Sequence, residues 1–195
     1  MIPALFLILA AVLYRIVMGL AIISGSTWLS NFAPLAAIAL CAAAYFPAKY
    51  KFTVPMIALL ISDVVLNMKY GAPLLSPFVA SHYLGFALVG GLGLLLQNRA
   101  SLKTLLPASI AASFIFYVVT NTVSWLFDPG YVKNFSGLIQ ALTVGLPAYS
   151  ATPTWMFFRS SLLSDLFFTL LFVFCMNVGR DPQRARPAAA LPRPV

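Results

Sequence analysis

Charged residues are scarce in this chain of 195 residues. Only 8% of its residues are charged, whereas 62% are hydrophobic; soluble domains carry about 25% charged residues. Glutamate is absent, and aspartate supplies all 4 acidic side chains. A chain this poor in charge cannot cover a water-facing surface. The composition therefore excludes an ordinary soluble domain and predicts an integral membrane protein whose solvent is the lipid bilayer.

Cysteine, histidine and catalytic motifs are equally scarce. Cys41 and Cys175 both lie in apolar runs, so neither a disulfide framework nor a CxxC metal pair is indicated. His82 is the single histidine, and no second metal-ligand residue of the His or Cys type lies near it in sequence. HExxH, GxSxG, Walker and EF-hand patterns are also missing. We therefore expect no metal, no cofactor and no enzymatic activity.

The net charge of +8 has a distribution that argues against nucleic-acid binding. The basic residues are scattered between apolar runs and concentrated in the tail 180–195, RDPQRARPAAALPRPV. This tail is rich in Pro, Arg and Ala and is predicted to be a disordered basic segment. Membrane orientation explains the basic residues better than a nucleic-acid partner does.

The apolar segments predict an all-α, polytopic membrane bundle in one domain, residues 1–179. Helices long enough to cross about 30 Å of hydrocarbon, at about 1.5 Å per residue, are predicted at 3–23, 53–69, 80–97, 104–126 and 155–178. Segment 33–46 would reach only about 21 Å. It either tilts among its neighbours as a short second span or is re-entrant. We prefer six transmembrane helices, with the second one short.

Lysine and arginine predict the orientation of this bundle. With six spans, the loops on the side of the C-terminus carry Lys49, Lys51, Arg99, Lys103, Arg180, Arg184, Arg186 and Arg193. The opposite loops carry only Lys69, Lys133 and Arg159. The excess places both termini in the cytoplasm by the positive-inside rule. The outer loops are then 24–32, 70–79 and 127–154, and 136–147 could form an interfacial helix within the last of them.

Charged side chains interrupt three of the apolar segments. An unpaired charge at the bilayer centre costs about 2.5–3.5 kcal/mol on insertion scales, so Arg15 is expected to pair with Asp63 or Asp165 whatever the function. Such a pair could be purely structural or could also line a ligand site. Alternatively, the two aspartates could form the dyad of an intramembrane aspartyl-type enzyme, which requires carboxylates that face each other.

Uncharged polar side chains gather at the outer ends of the same segments. Asn67 follows Asp63 by four residues and shares its helix face, and His82 lies at the outer end of its span. A stripe at spacing four is formed by Ser113, Tyr117, Asn121 and Trp125. The inner halves of the segments are nearly all apolar. This asymmetry predicts a polar pocket that opens outward, although polar side chains can also simply hold helices together.

Small residues form a second pattern. Ala33, Ala37, Ala39 and Ala43 give small-xxx-small faces on the short segment, and glycines from Gly85 to Gly93 do so on 80–97. Such faces let helices approach closely. They serve packing within the fold or, alternatively, the docking of a partner subunit.

Four stretches carry a family resemblance over roughly residues 10–176: NFAPLAAIALCAAAYF, PMIALLISDVVLN, LPASIAASFIFYVVTNTVSWL and SLLSDLFFTLLF. In this order they resemble a family of small bacterial membrane proteins of unknown function. The family motif joins Asn-Phe-x-Pro, an intramembrane Ser-Asp, Thr-Asn with a following Trp, and a final Ser-Asp. It is matched by Asn31, Asp63, Asn121, Trp125 and Asp165. The chain is also similar to the substrate-binding S components of energy-coupling factor (ECF) vitamin transporters, which have six helices of this size.

The similarity to S components implies a function. Those subunits sit in the bacterial inner membrane, bind a vitamin or other small molecule in an outward pocket, and dock on a coupling protein driven by two ATPases. The ligand-binding candidates are then Arg15, Asn31, Asp63, Asn67, His82, Asn121, Trp125 and Asp165. The chain departs from S components in carrying its small-residue faces on the second segment rather than the first. The second hypothesis is an accessory or scaffold membrane protein, and the third is an intramembrane enzyme.

Overall fold

A computed structural model describes residues 2–23, 32–71 and 73–178, and within these ranges the chain is all-helical, as predicted. Its helices are α1 (Ile2–Ile23), α2 (Leu35–Tyr45), α3 (Thr53–Tyr70), α4 (Pro77–Leu96), α5 (Leu102–Phe127), α6 (Phe135–Leu142) and α7 (Thr154–Val178), with a short 3-10 helix over Gln97–Arg99. The predicted site residue Asn31 and the predicted tail 180–195 lie outside the described residues.

Among the described residues, five helices are long and apolar enough to cross a membrane: α1, α3, α4, α5 and α7. The chain is therefore a multi-pass helical bundle with the character of a membrane protein, which confirms the predicted fold class. The number of six spans and the cytoplasmic termini stay predictions, because α2 has only 11 residues, about 16 Å of helix at 1.5 Å per residue.

Helix α2 lies at the centre of the bundle rather than at its edge. All residues from Ala36 to Ala44 are buried, and the helix packs against α4, α5 and α7. Close approach depends on small side chains: a Cβ on Gly93 would stand 2.4 Å from the carbonyl oxygen of Leu40 and 2.8 Å from the Cβ of Ala43. Gly93 of the small-residue face on α4 thus packs directly against α2, inside the fold.

Two spanning helices begin two or three residues earlier than predicted because local caps extend them. Helix α4 begins at Pro77, where the Ser76 hydroxyl accepts a hydrogen bond of 3.2 Å from the backbone N–H of Val79. Helix α5 begins at Leu102, where Ser101 and Thr104 form a reciprocal capping box. Both caps satisfy backbone donors that would otherwise lack partners at a helix start.

The connection between α5 and α7 contains a helix, α6, where the sequence predicts an interfacial one, and α6 is shorter than expected. Asn134 caps its start by accepting a hydrogen bond of 2.8 Å from Gly137. The helix ends at Leu142 rather than near residue 147, because the chain turns at Gly145. That glycine has a φ of 74° and donates its N–H to the carbonyl of Gln140 at 2.8 Å. The Tyr117 hydroxyl donates to the carbonyl of Leu142 and ties α6 to α5.

Candidate functional site

A cavity of about 280 Å³ lies between α1, α2, α4, α5 and α7. Four of the predicted site residues line it, each from a different spanning helix: Arg15, His82, Asn121 and Asp165. Further polar groups on its wall are Ser113, Tyr117, Thr120, Ser124, Thr154 and Ser161. The cavity lies toward the end of the bundle at which α5 ends and α7 begins. Part of the predicted set of polar residues therefore converges on one space.

The carboxylate of Asp165 completes the start of α2. Its Oδ1 accepts a hydrogen bond of 2.9 Å from the backbone N–H of Ala37, and its Oδ2 accepts one of 2.8 Å from the Ser113 hydroxyl. Helix α2 begins after Pro34, which has no side-chain acceptor to serve as a cap. Since α2 starts inside the bundle, a carboxylate from another helix supplies the hydrogen-bond acceptor that a local capping residue usually provides.

The predicted intramembrane ion pair is confirmed, and Asp63 is the partner of Arg15. A guanidinium nitrogen of Arg15 lies 2.8 Å from Oδ1 of Asp63, and the side chains are 12% and 5% exposed. Arg15 also donates to the hydroxyl of Ser62. Arg15 faces the cavity, whereas Asp63 lines a separate groove between α3 and α4. The ion pair therefore stands between the two spaces.

The two aspartates do not form a pair with each other in the described structure. Asp63 is bound by Arg15, and Asp165 is bound by Ala37 and Ser113. A shared-proton dyad needs two carboxylates in contact. This arrangement gives no support to aspartyl chemistry.

His82 contributes an unsatisfied polar atom to the cavity wall. Its ring stacks on Phe116, with centroids 6.0 Å apart and planes at 11°. Its Nδ1 is buried and has no hydrogen-bond partner among the described residues. Buried polar atoms in native proteins are nearly always paired with protein, water or a bound molecule. His82 therefore lines the cavity with a ring whose Nδ1 has no partner among the described residues.

Asn121 and an aromatic wall face the same space. The side-chain amide of Asn121 donates to the carbonyl of Tyr117 at 2.9 Å, which fixes the orientation of its side chain. The rings of Tyr117 and Phe158 lie 4.8 Å apart, and Phe116 and Phe157 also line the cavity. Polar and aromatic groups together suit a ligand with both a ring and hydrogen-bonding atoms.

The phenylalanines of this wall were missed, although Tyr117 was part of the predicted stripe, because phenylalanines in an apolar helix look like lipid-facing side chains. One spacing pattern in the sequence could have predicted part of the wall. Thr154, Phe158, Ser161 and Asp165 follow one another at spacings of four, three and four, which is one face of a helix. All four line the cavity.

Besides Asp63, two further predicted site residues lie outside the cavity. Trp125 donates its indole N–H to the carbonyl of Val132 at 3.0 Å and packs beside Gly137, so it anchors the loop that leads to α6. Asn67 is half-buried on α3 and is not among the described residues that line the cavity. Neither side chain contributes to the cavity wall that is formed by Arg15, His82, Asn121 and Asp165.

The fold and its apolar helices define a multi-pass α-helical membrane protein. More particularly, residues 1–186 match DUF6580, a family of unknown function, and the chain belongs to that family. No curated protein and no solved structure matches the chain.

Proposed function

We propose that this protein captures a small molecule in the cavity between α1, α2, α4, α5 and α7, and that it serves as the substrate-binding subunit of an uptake transporter. The observation that carries the proposal is the convergence of Arg15, His82, Asn121 and Asp165, from four helices, on one cavity. Its volume of about 280 Å³ is close to the lower end of the range of about 300–1,000 Å³ for small-molecule pockets.

The wall chemistry favours a small ring compound with an acidic group. A guanidinium has five N–H donors, and within the described residues Arg15 uses them only toward Ser62 and Asp63. The remaining donors can bind a carboxylate or phosphate. His82 and Asn121 offer further hydrogen bonds, and the rings of Tyr117 and Phe158 offer a stacking surface.

The transporter role draws on the resemblance to S components. The sequence carries no nucleotide-binding motif, so the energy for uptake would come from an ion gradient or from a coupling protein with two ATPases. The bacterial inner membrane is the location that this role requires. Loop 127–154, which Tyr117 and Trp125 tie to α5, would cover the cavity from the outer side.

Mass spectrometry of small molecules retained by protein purified in mild detergent tests this function. Thr120→Phe fills the cavity from α5, whereas Ala111→Phe adds the same ring on the exposed side of that helix. We expect a retained compound with the unmodified protein and with Ala111→Phe, and its loss with Thr120→Phe. Equal retention by all three proteins, or no retained compound in any of them, would contradict the proposal.

A scaffold role is the second candidate, and one observation favours it. Both oxygens of Asp165 are already bonded within the bundle, to Ala37 and Ser113, as expected of a residue that only holds helices together. For such a protein, Asp63→Asn should weaken folding and leave its cellular function intact. If Asp63→Asn abolishes function in protein that still folds, the scaffold role is wrong.

A further inference from the structure

A groove of about 700 Å³ separates α3 from α4 on the surface of the bundle. These helices are consecutive in the chain, yet they make few contacts with each other. The groove walls are largely apolar, with Ser76 and Tyr83 as their hydroxyl-bearing members, and include Leu60, Val64, Leu74, Leu75, Pro77, Val79 and Ala80. Several of these side chains are exposed, Leu60 to 51% and Leu75 to 97%. The groove thus opens where a membrane-spanning bundle meets lipid, and its described lining residues differ from those of the cavity.

Among the described residues that line this apolar groove, one is charged. Asp63 is 4% exposed, and its Oδ1 is bound by Arg15. Its Oδ2 is buried and has no hydrogen-bond partner in the described part of the chain. A carboxylate oxygen without a donor is costly in an apolar surrounding. The carboxylate that lines the groove therefore has one oxygen without a donor among the described residues.

The charges around Asp63 limit what can supply that donor. Asp63 and Arg15 compensate each other's charge as an ion pair, so a charged head group would add a further, uncompensated charge at this depth in the hydrocarbon layer. A neutral hydroxyl avoids that cost and can donate to the carboxylate of Asp63. Asp63 lies seven residues before the end of α3, about 10 Å below it at 1.5 Å per residue. This depth lies within the hydrocarbon layer, where an apolar chain attached to the hydroxyl remains in a favourable surrounding.

We propose that the groove between α3 and α4 binds a single-chain, lipid-like alcohol, whose hydroxyl donates to Asp63 and whose chain lies against Leu60, Val64 and Leu74. This site is reached from the bilayer and not from the cavity, so it goes beyond the proposed capture of a small molecule and does not depend on it.

Photolabelling in phosphatidylcholine nanodiscs tests the site with the full chain. The probe is a 12-carbon primary alcohol with a diazirine in its chain, and the labelled residues are mapped by mass spectrometry. We expect labels on α3 around Leu60 and Val64 and on α4 around Val79. Excess 1-dodecanol should displace the probe, whereas dodecyl methyl ether, which has no donor, should compete about tenfold more weakly, as the loss of a hydrogen bond to a charged acceptor predicts.

A pair of alanines on α4 supplies the matched variants. Ala80→Trp fills the groove, and Ala87→Trp adds the same side chain at an exposed position of α4 outside the groove lining. Labelling should fall to background with Ala80→Trp and persist with Ala87→Trp. Val64→Phe replaces Ala80→Trp if that variant elutes as an aggregate. Equal competition by the alcohol and its ether, or labelling that survives filling of the groove, would overturn the proposal.

Discussion

The carboxylate of Asp165 on α7 lies 2.9 Å from the backbone nitrogen of Ala37, in the first turn of α2. The two residues are 128 positions apart in the chain. This contact explains how a helix of 11 residues can begin inside an apolar bundle. The first N–H groups of any helix lack partners within it, and here a neighbouring helix provides one.

Replacement of Asp165 is expected to destabilise the bundle through α2. Asp165→Ala leaves the N–H of Ala37 and the hydroxyl of Ser113 without their acceptor, which should lower the free energy of unfolding by about 2–4 kcal/mol. Asp165→Asn keeps one oxygen acceptor and should lower the free energy of unfolding by less than half of that amount. Equilibrium unfolding in a lipid–detergent mixture measures both variants. An Asp165→Ala protein as stable as the unmodified chain would show that the contact is not a cap.

The ion pair of Arg15 and Asp63 should show strong coupling in a double-mutant cycle. Arg15→Met leaves a buried carboxylate unpaired and should cost about 3–5 kcal/mol in the free energy of unfolding. Adding Asp63→Leu removes the orphaned charge and should restore part of that loss. Lys69→Met, at an exposed position of α3, is the control and should change stability by less than about 0.5 kcal/mol. Additive effects of the two single substitutions would contradict a direct pair.

Substitutions at two glycines of α4 distinguish the effect of close packing on stability from the effect of helix propensity. A Cβ at Gly93 would meet the carbonyl oxygen of Leu40 at 2.4 Å, so Gly93→Ala should destabilise the bundle by about 1–3 kcal/mol. A Cβ at Gly91 meets no described atom within 4 Å. Gly91→Ala should therefore be neutral, or stabilising by up to about 1 kcal/mol, because alanine favours a helix. Thermal unfolding compares the variants, and a Gly93→Ala protein that melts no earlier than Gly91→Ala would argue against tight contact between α2 and α4.

The status of α2 decides on which side of the membrane the chain begins. If α2 counts as a short span, both termini lie in the cytoplasm; if it is re-entrant, the N-terminus lies outside while the basic C-terminus stays inside. Epitope tags at either end, probed with antibody before and after permeabilisation of cells, measure this directly. We expect both tags to be hidden in intact cells. An N-terminal tag accessible from outside would reduce the number of spans to five.

The sequence predicts the helices well because apolar length is a strong signal. Segment 104–126 and helix α5 (Leu102–Phe127) differ by only two residues at the start and one at the end. The caps at Ser76 and Ser101 explain the earlier starts of α4 and α5. Both caps could have been predicted from the sequence, because Ser76 is followed directly by a proline and Ser101 is followed three residues later by a threonine. The predicted starts of these two helices were therefore wrong because their capping residues had been overlooked.

The site was harder to predict because its contacts join distant parts of the chain. The charge at Arg15 required a partner, but nothing in the spacing distinguished Asp63 from Asp165, since the choice depends on how α1 packs against α3. Likewise, the spacing that groups Trp125 with Asn121 places both on one face of α5. It does not show that Trp125 lies beyond the cavity and holds the carbonyl of Val132 instead.

The most direct measurement for the central claim is the reactivity of cysteines placed on two faces of α5. Cys41→Ala and Cys175→Ser remove the native thiols, and a membrane-impermeant, charged methanethiosulfonate reagent is added to intact cells. Asn121 lines the cavity, whereas the side chain of Phe114 is 56% exposed on the outside of the bundle. If the polar residues line a water-filled cavity open to the outer side, Asn121→Cys will react and Phe114→Cys, which faces lipid, will not. An unreactive Asn121→Cys in folded protein, or equal reactivity of both thiols, would contradict an outward-opening cavity.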